Sequence, residues 1–322
     1  MAEVLCLAVV WRLAHKIRTR APFSRMPDST HDLTVSLVLG SGGARGHAHI
    51  GVIRAIEERG LDIRNIAGTS MGAVIGGVYA AGHLDTYAEW ARELRKNDVV
   101  KLLDLSFTRT SLFKGERVFD VLRELIGEKK IEDLPRGFTC VATSIDDQRE
   151  IWLNKGPLFR AIRASTAVPG IFSPVEIDGR SLVDGGLINP IPVAPTLNDA
   201  TDLTIAVNLN GFSQRYRAPK RRARDAEESS NAGYREKIAG FINDLVASEK
   251  SEPGPPDAVE LLTKSIDVMQ GTIARLKLAA YALDKIVEIP RNACSFFEFY
   301  RASEMVELGY ERTAKVLDEL GL

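Results

Sequence analysis

Cysteine is scarce in this chain of 322 residues. Only Cys6, Cys140 and Cys294 occur, far apart and without a C-x-x-C pair or a Cys/His ligand spacing. That pattern argues against a disulfide framework and against a zinc site, and makes reduced structural thiols the default. Charge of one sign is not in excess either: 42 Lys and Arg stand against 43 Asp and Glu, for a formal net charge of -1. The chain as a whole therefore has no attraction for nucleic acid or for an anionic membrane, and any electrostatic targeting has to be local. No apolar run is long enough to span a bilayer, and no internal repeat is visible. Histidine is limited to His15, His31, His47, His49 and His83, so the last three-quarters of the chain have none.

What is present is the material of an ordinary folded protein, 45% hydrophobic and 26% charged, with enough chain for one large domain and additions. The most informative stretch is Gly68-Thr69-Ser70-Met71-Gly72. A serine between glycines two positions either side fits a strand-to-helix turn that pushes its hydroxyl outward, the nucleophile elbow. Ile63, Ile66 and Ala67 supply a short buried strand before it, and Ala73, Val74, Ile75, Val78 and Tyr79 a small-residue helix after it. Upstream, the buried strand Leu33 to Leu39 runs into Gly40-Ser41-Gly42-Gly43-Ala44-Arg45-Gly46 and then a helix through Ile50, Val52, Ile53 and Ile56. Strand, glycine loop and helix make an anion site, because unpaired N–H groups at a helix start favour negative charge. A dinucleotide fingerprint starting at Gly40 would need glycine where Arg45 stands, and the Gly-Lys-Ser/Thr ending of a phosphate loop is absent. Read with Ser70, the loop instead offers donors for the oxyanion that forms when a serine attacks an ester carbonyl.

A serine nucleophile needs a base. The late histidine of a Ser, acid, His order is missing. His83 falls at the far end of the elbow helix, nearly 20 Å away at ~1.5 Å per residue. His47 and His49 flank or pack the first turn after the glycine loop. A carboxylate or lysine remains. Asp184, in Ser181-Leu182-Val183-Asp184-Gly185-Gly186, has an apolar approach and two glycines that let a turn bring a buried carboxylate out at a strand end. Taken alone, it reads first as a plain Asp-Gly turn.

In combination these residues resemble the patatin-like phospholipase family, in its bacterial regulator-like and neuropathy-esterase-like branch. Four blocks carry the resemblance in order: Ser41-Gly42-Gly43-Ala44-Arg45-Gly46, Gly68 to Gly72, Ala164-Ser165-Thr166-Ala167-Val168-Pro169, and Asp184-Gly185-Gly186. It covers roughly residues 33–209, with weaker similarity from Ala258 onward. The resemblance implies a three-layer α/β fold with a largely parallel central sheet and a helical C-terminal supplement. It also implies a Ser70–Asp184 dyad that hydrolyses lipid acyl esters with no metal and no cofactor. Ser41 stands where many members have glycine, which leaves Gly42, Gly43 and Ala44 as oxyanion donors. Arg45 either meets a phosphate or carboxylate or holds the loop, and a loop this rich in glycine calls for an anchor. The competing class is a regulatory or scaffolding protein that binds a partner or lipid on the same fold with little turnover.

Around this core, residues 1–31 form an extension. Val4 to Leu13 is mostly apolar, with Trp11, and is followed by Lys16, Arg18, Arg20 and Arg25. This fits a loosely ordered extension or a helix packed on the body on one hand, and an interfacial helix on lipid headgroups on the other. Residues 32–210 are the catalytic core. Within it, Val99 to Phe107 with Leu112 and Phe113 is apolar, poorly periodic, and placed to line or cover the site. Residues 211–257 are a polar insertion in which a basic run from Arg215 meets Asp225, Glu227 and Glu228. After the break at Glu252 to Pro256, residues 258–322 are mostly helical, with a last strand at Ile286 to Ile289. The expected partner is a lipid substrate, not nucleic acid, and the expected location is cytoplasmic, with peripheral contact at the inner face of the membrane.

Overall fold

The computed structural model describes residues 33–103, 111–113, 115–213 and 258–322. The expected extension at 1–31, the basic-to-acidic run from Arg215 and positions 104–107 of the apolar region lie outside the described residues. In chain order the strands and helices begin with β1 (Thr34–Leu39), α1 (Ala48–Glu58), β2 (Asp62–Thr69), α2 (Met71–Ala80), α3 (Leu84–Glu93) and α4 (Lys96–Leu103). They continue with β3 (Ser111–Phe113), α5 (Glu116–Ile126), β4 (Gly137–Ser144), β5 (Arg149–Leu153), α6 (Leu158–Ser165) and β6 (Gly170–Phe172). The last are β7 (Val175–Ile177), β8 (Arg180–Asp184), β9 (Leu203–Gly211), α7 (Ala258–Ala280), β10 (Lys285–Pro290) and α8 (Ala302–Asp318).

Strands β10, β9, β1, β2 and β4 pair in that order, all parallel. Antiparallel β5 and β8 both pair with β4, and β7 pairs with β8. Parallel strands covered on both faces read as continuous apolar runs, and every residue of β1 is buried. Its alternation divides the two faces. Val35, Leu37 and Leu39 join the main core with α1, α2, α3, α5 and α8, whereas Val38 joins Ala206, Ile191, Val193 and Ala274 of α7 on the other side. The result is the α/β three-layer arrangement. Helices α1 and α8 approach so closely that a Cβ at Gly51 would meet the Val306 carbonyl and one at Gly309 the Ala48 carbonyl.

Among the described residues no helix is long and apolar enough to cross a membrane. His83, expected at the far end of the elbow helix, instead follows a turn at Gly82 and precedes α3, because α2 ends at Ala80. The region between the elbow and β4 is more regular than its sequence suggests, with helices α3, α4 and α5 in succession. In α5 the buried Phe119, Leu122 and Ile126 mark the face turned to the core.

Candidate active site

Register on β4 builds the site. Thr69, the last residue of β2, pairs with Val141, and Asp184, the last residue of β8, pairs with the next residue, Ala142. Strand β5 occupies the other edge of both Val141 and Ala142, so β2 and β8 meet end to end on one side of β4. Ser70 and Asp184 are thereby brought together although 113 positions separate them in the chain.

At the elbow Ser70 takes φ 55 and ψ -123, a conformation a non-glycine residue adopts only when its surroundings impose it. The flanking glycines are required by contact: a Cβ at Gly72 would lie 2.1 Å from the Leu39 carbonyl oxygen, and one at Gly68 2.4 Å from that of Gly72. Ser165, at the end of α6, ties the turn down. Its Oγ accepts from the Ser70 N–H at 2.9 Å and donates to the Val141 carbonyl at 2.6 Å. Ser165→Ala should leave both buried groups unpaired, costing about 1–3 kcal/mol for each unmet group and lowering turnover in parallel. Urea unfolding together with ester hydrolysis checks this, and unchanged stability would show that the tie is unimportant.

Asp184 is buried, with Oδ1 accepting from the Gly186 N–H at 2.6 Å. Its own N–H donates to Ala167 in the Ala164 to Pro169 block. The other oxygen, Oδ2, is buried and has no hydrogen bond among the described residues, while the Ser70 hydroxyl lies near enough to lower the proton affinity of the carboxyl. Burial outweighs the influence of Ser70 and Gly186 and pushes the Asp184 pKa up to about 7.

The glycine loop lies beside them. A short 3-10 turn, Gly43–His47, carries it into α1, with Gly43 at φ +54. Ala44, expected as a third oxyanion donor, is not available, because its N–H already donates to the Phe296 carbonyl at 2.9 Å. Among the described residues no such partner engages the amides of Gly42 and Gly43. Arg45 is buried, and its fork holds the loop from three sides: Nε donates to the Gly42 carbonyl at 3.0 Å, Nη1 to the Arg291 carbonyl at 2.7 Å, and Nη2 to Asp267 at 2.8 Å. These bonds give Arg45 the anchor's contacts. His47 and His49 are fully buried, and burial lowers the pKa of each to about 4. Both are neutral at pH 7, and His49 Nε2 donates to the Gly40 carbonyl at 2.9 Å.

Two contributions from the C-terminal part have no local sequence signal. Gln270 of α7 accepts from the Ser41 hydroxyl and lies over Gly186, while Asp267 anchors Arg45. Phe296, Phe297 and Phe299 line a cavity of ≈ 110 Å³ that opens on Ser70. Its remaining wall includes Val74, Trp90, Val99, Leu102, Leu122 and Val168, so its surface is overwhelmingly apolar, with Arg163 the charged residue in it. Val99 and Leu102 thus do line the site, as their region suggested. Among the described residues no group of three or more metal-ligating side chains occurs.

A strained serine beside a buried carboxylate, two open backbone amides and an apolar cavity suit acyl transfer from a substrate with a hydrocarbon chain. Residues 37–197 match the patatin-like phospholipase family. An uncharacterised NTE family protein of Mycobacterium tuberculosis is 38% identical over 334 residues, spanning 88% of this chain and 91% of the relative. Lysophospholipase NTE1 of Coccidioides immitis is 28% identical across 94% of this chain, which corresponds to 18% of its own length. The crystal structure of VipD from Legionella pneumophila aligns with 89% of this chain and 67% of its own at a TM-score of 0.43 and 12% identity.

Proposed function

The chain belongs to the patatin-like phospholipase family and is an ester hydrolase of lipid metabolism, and on that premise we propose that Ser70 and Asp184 are its catalytic dyad. The observation that carries this reading is the strained Ser70, just past the end of β2, beside the buried Asp184 carboxylate at the end of β8, whose proton affinity the Ser70 hydroxyl lowers. Ser70 Oγ attacks the acyl carbonyl as Asp184 takes its proton. The N–H groups of Gly42 and Gly43 receive the oxyanion, and Arg45 keeps them aimed. Collapse of the tetrahedral intermediate returns the proton from Asp184 to the departing alcohol and leaves an acyl-enzyme. Water then attacks the acyl carbonyl as Asp184 takes its proton, and Asp184 returns that proton to Ser70 Oγ as the acid leaves.

A carboxyl of ordinary pKa, near ~4, is a poor base. With its pKa raised to about 7, Asp184 holds a proton strongly enough to accept one in the transition state while staying partly ionised at neutral pH. The rate constant kcat/KM should therefore fall about tenfold per pH unit below pH ~6 and level off above pH ~8. A profile measured from pH 5 to 9 on a non-titrating ester checks it, and a flat profile across that range would remove Asp184 as the base.

We take the substrate to be a single-chain lipid ester, a lysophospholipid, because one narrow apolar cavity meets Ser70 and the fungal relatives bear the name lysophospholipase. Residues 32–210, completed by 258–322, form the catalytic unit in this reading. The free, buried Cys140 and Cys294 fit a reducing cytoplasm, with the enzyme peripheral at the inner face of the membrane. Turnover on lysophospholipid, diacyl phospholipid and short-chain ester, with Ser70→Ala in parallel, tests the assignment. Preference for diacyl over monoacyl lipid would overturn the single-chain choice.

A further inference from the structure

Helix α7 has two faces with opposite character. Its inner face is part of the site: Asp267 and Gln270 hold the glycine loop, and Ile266 packs with Val168 and Ile171 against the aromatic wall of the cavity. Its outer face carries Leu261, Leu262, Val268, Met269 and Leu276, of which Val268 and Leu276 are 63% and 67% exposed. At 3.6 residues per turn these five fall within one sector, a stripe of about 22 Å at ~1.5 Å per residue.

The polar residues inside the stripe do not interrupt it. Ser265 Oγ donates back to the Leu261 carbonyl at 2.7 Å and Thr272 Oγ1 to the Val268 carbonyl at 3.0 Å, so both hydroxyl protons are already used. Exposed cations, Lys264 and Arg275, stand along one edge. The acids Glu260 and Asp267 are less exposed and lie beyond that edge, paired with Lys264 and Arg45. An apolar face with a basic edge is what an interfacial helix presents to lipid, and it is a local feature in a chain of net charge -1. At its N-terminal end the stripe adjoins the cavity wall, because Leu262 lies against Gly170, between the lining residues Val168 and Phe172.

We propose that this outer face of α7 docks on an anionic lipid surface and brings the acyl cavity to it. The proposal rests on the lipid-ester reading for its purpose, but its test reads binding separately from turnover. A substrate chain leaving a bilayer beside Leu262 would pass from one apolar surface to another without crossing water.

The test uses the full chain and vesicles of equal phosphatidylcholine and phosphatidylglycerol. The double variant Val268→Glu, Leu276→Glu, both remote from the cavity wall, should lower sedimentation with vesicles by about tenfold or more. Its hydrolysis of a soluble short-chain ester should stay within about twofold of the parent. An environment-sensitive label on Leu276→Cys, in a chain also carrying Cys6→Ser, should shift to the blue on adding vesicles, which checks contact without relying on the charged variant. Binding equal to the parent, or a label that does not shift, would overturn the proposal. So would a dimer of the parent chain that the double variant splits while vesicle binding persists, since the face would then belong to a second copy. Selective loss of vesicle binding in a chain that hydrolyses no ester would keep the docking face and reject the hydrolase reading.

Discussion

Replacing Ser70 by alanine should lower ester turnover by roughly 10⁴- to 10⁶-fold, and Asp184→Asn by roughly 10³- to 10⁴-fold, as when one member of a catalytic unit is removed. The double variant should be no slower than the worse single one, because the two residues act on the same proton. The same substitutions should separate activity from stability. Burial raises the folded pKa of Asp184 from 3.8 to about 7, so between those values the folded protein binds the proton that the unfolded chain releases. The penalty for the ionised form therefore grows from pH ~4 upward and is complete above pH ~7, where it is about 4 kcal/mol. Asparagine keeps an oxygen for the Gly186 N–H and carries no charge. Asp184→Asn should accordingly be more stable than the parent at pH 8, with the advantage gone at pH 4. Thermal unfolding at the two pH values measures this, and a loss of stability at pH 8 would mean that the carboxylate is held by a partner the geometry does not show.

The second large effect is expected at Arg45. Its guanidinium is buried, and removing it in Arg45→Met leaves the Gly42 and Arg291 carbonyls without their donor and Asp267 without its cation. Breaking a buried pair from one side costs about 3–5 kcal/mol, and the lower end applies here because the Asp267 side chain is 33% exposed. The greater consequence is catalytic. Gly42 and Gly43 have no side chains to fix them, so without the Arg45 bond their amides are no longer preorganised. A misdirected oxyanion donor costs roughly 10²- to 10³-fold in kcat. Arg45→Lys keeps the charge but cannot reach three acceptors with a planar fork, and its kcat should fall between those of the parent and Arg45→Met. Were Arg45→Met to raise KM for anionic lipids while leaving kcat and stability unchanged, Arg45 would be a headgroup contact and not an anchor.

The elbow was legible in the sequence because its requirements are local: Gly68 and Gly72 are forced by atoms within the strand–turn–helix unit and the neighbouring strand β1. Strand β1 was legible from its apolar run, and the glycine loop from its composition. Asp184 was ambiguous by itself, since an Asp-Gly turn looks alike whether or not a serine lies opposite. Its pairing with Ala142, next to the Thr69–Val141 pair, resolves that ambiguity. Ser165 stood in a recognisable block without a readable task, because its task is to bridge Ser70 and Val141. The loss of Ala44 as a donor was not legible, since its acceptor, Phe296, comes from the far end of the chain. The same holds for Asp267 and Gln270. The spacing of Val259, Leu262, Ile266 and Met269 announces a helix, but not that its buried side closes the glycine loop. Helices α3 and α5 were not legible beside the apolar stretch between them, of which Val99 and Leu102 line the cavity.

Covalent labelling reads out whether Ser70 is a nucleophile activated by Asp184. The parent chain and the Ser70→Ala and Asp184→Asn variants are treated with a fluorophosphonate, digested, and examined by mass spectrometry. One phosphonate adduct is expected, on Ser70, in the parent chain, none in Ser70→Ala, and labelling of Asp184→Asn slowed at least about a hundredfold. An adduct on another residue, or labelling of Asp184→Asn at the parent's rate, would contradict the Ser70–Asp184 dyad.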